Sequence, residues 1–186
     1  MKKLAVFFPG VGYTPDKPLL YHSRRIAESL GFDILTLTFS GFPKKIKGDE
    51  QKMRKAFELA LSQSRKQLKD AEIAGYDELV FLGKSIGAVA AAALAEQFHC
   101  SRLVLYTPLE PAFSFPMPET IVFTGSADPW VAPGQIAALC AGKGMACTVV
   151  PDANHSLETG DPMCDLEWLR GIMMQTEHFL KEGRTE

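Results

Sequence analysis

The stretch Leu-Val-Phe-Leu-Gly-Lys-Ser-Ile-Gly, residues 79–87, says more about the fold than any other part of the sequence. Its apolar first half predicts a buried strand, and the alanine-rich segment after it, residues 88–97, predicts a helix. Ser85 lies at the turn between them, with Gly83 and Gly87 two places away on each side. So sharp a turn forces unusual backbone angles on the serine, and only very small flanking residues avoid the adjoining strand and helix. The sequence therefore predicts a serine hydroxyl raised above a sheet, with helix N–H groups aimed at the same point.

The same residues allow two other interpretations. A G-x-S-x-G pattern alone can be an ordinary glycine-flanked turn, but the strand before it and the helix after it favour a nucleophile elbow. Gly-Lys-Ser also ends the phosphate-binding P-loop motif. That motif needs a glycine five residues before Gly83, where this chain has Glu78, so the spacing argues against a nucleotide loop.

Short apolar segments alternate with helical patterns along the whole chain. The predicted strands are residues 4–8, 33–39, 78–82, 101–106, 120–123 and 146–150, and the predicted helices are residues 18–30, 50–73, 86–98, 133–141 and 163–180. Several strand segments are continuously apolar, which is typical of parallel strands covered on both faces. We therefore expect one α/β domain over residues 1–186, a three-layer sandwich with a mostly parallel sheet of about six strands and helices on both faces.

Composition limits the classes of function. The chain has 186 residues and a net charge of −2. It lacks the excess of basic residues that would attract nucleic acids or anionic membranes, so we expect neither partner. The cysteines are scattered, with no C-x-x-C pair and no histidine at zinc-site spacing, which predicts reduced thiols and no metal site. The apolar run near the N-terminus is too short for a secretory signal, so we expect a cytoplasmic protein. Its oligomeric state stays open.

A serine at such a turn needs two partners to act as a nucleophile. A base must take its proton, and an acid must orient that base. Asp128 follows the predicted strand at 120–123, and His155 follows the predicted strand at 146–150. Because the carboxyl ends of parallel strands lie at one edge of a sheet, we expect Ser85, Asp128 and His155 to meet there.

Other candidates compete for the same roles. The remaining histidines fall within predicted helices or at a helix end, which makes them weaker candidates for the base: His22, His99 and His178. Glu110 follows the preceding strand and competes with Asp128 for the role of the acid. Lys84, next to the serine, could tune the site electrostatically, but we expect it to be a solvated side chain.

The order of serine, aspartate and histidine, each after a successive strand, resembles that of the α/β-hydrolase superfamily. The chain is most similar to small lidless members of the dienelactone-hydrolase and short-esterase kind, over residues 4–179. Three motifs carry the resemblance: residues 83–87, residues 125–128 and residues 153–156. It implies hydrolysis of a small acyl substrate, a carboxylic ester or thioester, through Ser85, His155 and Asp128, with no cofactor or metal.

The sequence departs from that family in two ways. It begins at the family's third strand, so the resemblance implies a minimal fold without the two leading antiparallel strands. Dienelactone hydrolases carry a cysteine nucleophile, whereas this elbow holds Ser85, which puts the lactone substrate in doubt but not acyl chemistry. By the same resemblance, the oxyanion hole would use the N–H groups of Ile86, after the nucleophile, and Val11, in the loop after the first strand.

Several alternatives remain open at this level. The same residues could serve a peptidase or an acyltransferase, or the chain could be a non-catalytic binding protein with the hydrolase fold. Phe113, Phe115 and Trp130 could line a substrate pocket or could simply pack the loops.

Overall fold

Six parallel strands form one sheet in the computed structural model, which describes residues 1–182; residues 183–186, the end of the predicted domain, lie outside them. The strands are β1 (Lys3–Phe8), β2 (Asp33–Thr36), β3 (Glu78–Lys84), β4 (Arg102–Tyr106), β5 (Glu119–Gly125) and β6 (Ala146–Val150). Their order is β2-β1-β3-β4-β5-β6, and every neighbouring pair is parallel. The prediction of a parallel sheet of about six strands is confirmed.

Helices cover both faces of the sheet. They are α1 (Pro18–Ser29), α2 (Glu50–Asp70), α3 (Ile86–Ala95), α4 (Gln135–Gly142) and α5 (Pro162–Glu182). Helices α1 and α5 pack on one face, and α2, α3 and α4 contribute to the hydrophobic cluster on the other. The three-layer prediction is confirmed. Within residues 1–182, the segments between strands hold loops, short 3-10 turns and single helices, without an inserted lid domain.

The sequence explains why these elements pack so closely. Every residue of β1 is buried, as its continuous apolar run predicts for a strand covered on both sides. Helix α3 is buried along almost its whole length, and its alanines let it lie against the sheet and α2 with little intervening side-chain volume. This close approach fixes the start of α3, and with it Ser85, relative to the sheet.

Strand β2 is shorter than the sequence predicts. It ends at Thr36 rather than at residue 39. The Leu37 N–H still donates to the Phe7 carbonyl of β1, and from Thr38 onward the chain bonds with α2 instead. The Gln67 side chain accepts the Thr38 N–H and donates to the Thr38 carbonyl, and Gln63 does the same for Ser40. Two glutamine side chains therefore make the hydrogen bonds that these backbone groups would have made to the sheet in a longer strand.

The proline-rich segment 107–119 also contains more structure than the predicted loop. A 3-10 turn, Glu110–Ser114, forms within it, and two of its side chains, Ala112 and Phe113, are buried. This turn contacts α3 and α4, so the segment forms a fixed wall beside the carboxyl ends of the strands.

Candidate active site

Ser85 occupies the turn between β3 and α3 with strained backbone angles, φ 56° and ψ −120°. Its N–H donates to the carbonyl of Tyr106 in the neighbouring strand, at 3.0 Å. A Cβ added to Gly83 would lie 2.6 Å from the Cα of Ala88, and one added to Gly87 would lie 2.3 Å from the carbonyl oxygen of Phe8. Neither flank tolerates a side chain, as the pattern around the serine predicts.

His155 lies between Ser85 and Asp128. Its Nε2 is 2.8 Å from the Ser85 hydroxyl oxygen, and its Nδ1 is 2.7 Å from Oδ2 of Asp128. Since a carboxylate can only accept, Nδ1–H donates to Asp128, which leaves Nε2 free to accept the Ser85 hydroxyl proton. The structure thus places the three residues in one continuous chain of hydrogen bonds, at the carboxyl ends of three strands.

The loop after β5 holds Asp128 in place. The Asp128 side chain is fully buried, and its Oδ1 accepts the Trp130 N–H at 2.9 Å. A Cβ on Gly125 would lie 2.2 Å from the carbonyl oxygen of Ala153, so the loops that carry Asp128 and His155 pack directly on each other. The competing acid, Glu110, is exposed and instead accepts a hydrogen bond from the side chain of Gln135, at 2.7 Å.

Two further residues fix the position of His155. The buried Thr107 hydroxyl donates to the His155 carbonyl at 3.0 Å, and the Trp130 ring stacks on the imidazole with centroids 5.3 Å apart. Sequence reasoning missed Thr107. Its place directly after β4, at the same sheet edge as the other strand ends, is the signal that could have found it.

The predicted oxyanion donors lie beside Ser85. Ile86 is the first residue of α3, so its N–H has no acceptor within the helix. In the loop after β1, the N–H of Gly10 donates to the carbonyl of Tyr13, and the N–H of Tyr13 donates to the carbonyl of Gly10. Val11 therefore lies within a tight turn that these two bonds close. A Cβ on Gly10 would contact the Cβ of Ser85 at 3.4 Å, which shows how closely this turn approaches the serine.

Lys84 is a correction to the sequence analysis. It is 1% exposed rather than solvated, and its Nζ lies 5.0 Å from the centre of the Tyr13 ring. Strand geometry explains this, because alternate residues share a face and Lys84 therefore lies on the same side of the sheet as Leu82. Burial lowers the pKa of the Lys84 ammonium to about 7, although the carboxylate of Asp128 opposes this shift.

The electrostatic surroundings keep His155 neutral near pH 7. Burial lowers its pKa, the hydrogen bond to Asp128 raises it, and the positive charge of Lys84 lowers it further, with a net decrease. A neutral imidazole with Nδ1 protonated is the form that can accept a proton at Nε2.

Comparisons with known proteins identify the fold. The sequence matches no protein-family model and no curated protein. Est1E from Butyrivibrio proteoclasticus has a similar structure, with a TM-score of 0.73 and 11% identity over 100% of this chain and 89% of that one. An alpha-beta serine hydrolase homologue from Coxiella burnetii has a TM-score of 0.67 and 17% sequence identity, over 94% of this chain and 84% of that one. An α/β serine hydrolase without lid from Xanthomonas campestris has a TM-score of 0.63 and 17% sequence identity, over 95% of this chain and 81% of that one.

This chain has the α/β-hydrolase fold. The expectation from its motifs is therefore confirmed at the level of fold. In the α/β-hydrolase arrangement, a nucleophile follows a central strand, and acid and base follow later strands in that order. Ser85 after β3, Asp128 after β5 and His155 after β6 occupy those positions.

Two adjoining clefts open beside Ser85 in this α/β-hydrolase fold. The first, of about 420 Å³, is lined by Ser85 and His155 and by the loop after β1. The second, of about 450 Å³, lies between α2, α3 and the 3-10 turn. Of the aromatic candidates, Trp130 lines both clefts, whereas Phe113 is buried and Phe115 packs against Phe57.

Within residues 1–182, no group of three or more His, Cys, Asp or Glu side chains is arranged to hold a metal ion. In the same residues, no helix combines the length and the apolar character needed to cross a membrane.

Proposed function

We propose that this protein is a serine hydrolase that cleaves carboxylic esters or thioesters through an acyl-enzyme intermediate. One observation carries the proposal: hydrogen bonds of 2.8 and 2.7 Å link Ser85, His155 and Asp128 at the strand ends of an α/β-hydrolase fold. The similarity to solved structures described as serine hydrolases supports it. The catalytic roles follow from the chemistry of these three side chains.

In the first half of the reaction, the Ser85 oxygen attacks the carbonyl carbon of the substrate while His155 Nε2 takes the hydroxyl proton. Asp128 holds the imidazole in the required tautomer and stabilises the imidazolium. The N–H groups of Val11 and Ile86 donate to the developing oxyanion, and one such donor typically contributes about 3 kcal/mol. His155 then protonates the leaving oxygen or sulfur, and the bond between it and the carbonyl carbon breaks.

Water completes the cycle in the second half. His155 takes a proton from water, whose oxygen attacks the acyl carbon, and then returns a proton to Ser85 as the free acid leaves. None of these steps requires a group beyond the side chains and backbone of the site. The alcohol or thiol of an ester or thioester leaves more easily than an amine, and the one proton that it takes up is the one that His155 acquired from Ser85.

Turnover of a graded set of model esters tests the proposal. We expect the wild-type protein to release p-nitrophenol from acetate, butanoate and hexanoate esters, with a bell-shaped or plateau pH profile above the pKa of His155. Butanoyl thioesters, followed with a thiol reagent, extend the set to the second class. If no ester or thioester in the set is turned over above the buffer rate, the proposal is wrong.

Burial and the charge of Lys84 both lower the pKa of His155, so the charge of Lys84 is expected to shift the acid limit of activity. His155 must be neutral to act as a base, and the positive charge of Lys84 contributes to lowering its pKa. Replacing Lys84 by methionine removes that charge, so the pKa of His155 rises and the acid limb of kcat/KM moves to higher pH. The pH profile of p-nitrophenyl butanoate hydrolysis measures this shift, with Lys143→Met, outside both clefts, as the control. A limb that stays in place or moves to lower pH contradicts the assignment.

A further inference from the structure

The cleft that contains Ser85 has a strongly asymmetric charge. Its lining includes three exposed lysines, Lys17, Lys45 and Lys47, together with the buried Lys84, and no aspartate or glutamate. The protein as a whole carries a net charge of −2, so this local excess of positive charge does not follow from overall composition. A cleft lined by one sign of charge concentrates ligands of the opposite sign.

The lysines reach the cleft from three separate parts of the chain. Lys17 precedes α1 and its Nζ lies 5.3 Å from the centre of the Tyr13 ring. Lys47 comes from the loop before α2 and its Nζ lies 5.8 Å from the Trp130 ring, which itself stacks on His155. Among residues 1–182, neither of these two ammonium groups pairs with a carboxylate. Both are therefore available to an anionic ligand near the reacting groups.

The adjoining cleft has a different character. Its apolar surface is formed by Phe57 of α2, Val89 of α3 and Val131 of the loop after β5. The charged residues that also line it include both signs: Glu50, Arg54 and Glu110. The two clefts share four lining residues: Met53, Ile86, Leu109 and Trp130. A substrate whose carbonyl carbon reaches Ser85 can therefore place one part among the lysines and another part on the apolar surface.

The position of His155 indicates which of the two clefts receives the leaving group of the substrate and which receives the acyl group. The leaving group must receive its proton from His155 Nε2, so it lies on the side of the serine where His155 is exposed. His155 lines the lysine cleft and does not line the apolar cleft. The leaving group thus falls among the lysines, and the acyl group falls on the apolar surface.

We propose that the substrate is an ester or thioester of an apolar acyl group whose alcohol or thiol carries an anionic group, a carboxylate or a phosphate, bound by Lys17 and Lys47. This inference rests on the proposed hydrolase function and names the substrate class of the same site. The lysines bind the leaving alcohol or thiol, and no bond to them is made or broken.

A matched series of aryl butanoates tests the inference. The series contains 3-carboxyphenyl butanoate, its neutral methyl ester, 3-(trimethylammonio)phenyl butanoate and 3-(phosphonooxy)phenyl butanoate, each rate divided by that of hydroxide-catalysed hydrolysis. We expect corrected kcat/KM to favour the carboxylate over the neutral ester by about tenfold or more at low salt, and the cationic ester to be the poorest. Raising NaCl from about 20 to about 300 mM should reduce the preference, because the side chains of Lys17 and Lys47 are exposed and salt screens their charges. The phosphate and carboxylate arms show which anion the cleft prefers.

Variants assign the effect to the lysines. In a Lys17→Gln, Lys47→Gln double variant, the ratio of corrected kcat/KM between the carboxylate and its methyl ester should fall about tenfold. Lys143→Gln, an exposed lysine outside both clefts, should leave the ratio unchanged. Thermal melts of all variants check that they remain folded.

Each outcome distinguishes the two proposals. If the neutral ester is cleaved in a Ser85-dependent way and as fast as the anionic esters, the inference is wrong and the hydrolase function stands. A preference for anions that survives intact in the double variant also overturns it, because the preference then arises elsewhere. If none of the four esters is cleaved while p-nitrophenyl butanoate is, the inference is wrong and the hydrolase function stands; if p-nitrophenyl butanoate is not cleaved either, both proposals fail.

Discussion

Replacing Ser85 by alanine is expected to lower kcat for p-nitrophenyl butanoate by about a millionfold. The variant keeps the fold, since Ser85 is only partly buried and its side chain bonds to His155 alone among the described residues. In the proposed mechanism it loses the atom that forms the acyl-enzyme, so we expect the residual rate to come from substrate binding and the proposed oxyanion donors.

Steady-state kinetics with purified variants measures this loss. Ser62→Ala is a suitable control, because Ser62 is exposed on α2 and, among the described residues, its hydroxyl donates to the Leu59 carbonyl alone. The control should retain wild-type kcat. A Ser85→Ala variant that keeps more than about a hundredth of the wild-type kcat would show that another group is the nucleophile.

Changing Asp128 to asparagine is expected to lower kcat by about ten thousandfold. The amide cannot accept the Nδ1 proton in the same way while also satisfying the Trp130 N–H, so the imidazole loses the tautomer that presents a free Nε2 to Ser85. The imidazolium that forms during attack also loses its neighbouring negative charge.

Glu110→Gln separates the two candidate acids. Glu110 is exposed and bonds to Gln135, so this variant should retain wild-type kcat within about twofold. The same ester assay measures both variants. A large loss in Glu110→Gln together with a small loss in Asp128→Asn would transfer the role of the acid to Glu110.

Local sequence signals were sufficient to predict the fold and the meeting of three side chains. The glycines around Ser85 are required by contacts closer than a Cβ allows, so the elbow is visible in the residue types alone. The parallel sheet follows from continuous apolar strands that alternate with helices. Because all six strands point the same way, residues that follow β3, β5 and β6 lie at one edge, which is why sequence order predicted the contact between Ser85, Asp128 and His155.

The sequence analysis did not predict that Lys84 is buried. Charged residues are seldom fully buried, and that general tendency outweighed the strand periodicity that places Lys84 beside Leu82. Lys84 ends a central strand and lines the cleft above the sheet. Counting alternate positions from Val80 would have indicated this.

The charge of the cleft could not be predicted from sequence. Lys17, Lys45 and Lys47 belong to loops whose paths depend on tertiary contacts rather than on local pattern. The loop that carries Lys45 and Lys47 follows the early end of β2, where Gln63 and Gln67 of α2 hold the chain. Only the folded structure places these ammonium groups beside His155.

The most direct measurement for this account is the site of covalent labelling by a fluorophosphonate. Such a reagent transfers a phosphonyl group, with loss of fluoride, to a serine oxygen that a neighbouring base deprotonates. Intact-protein mass spectrometry followed by peptide mapping should find one adduct per chain, on Ser85, that is absent from Ser85→Ala and forms far more slowly in His155→Ala. Labelling of Ser85→Ala at the wild-type rate, or a wild-type protein that turns over esters yet carries its adduct at another residue, would contradict the role given to Ser85.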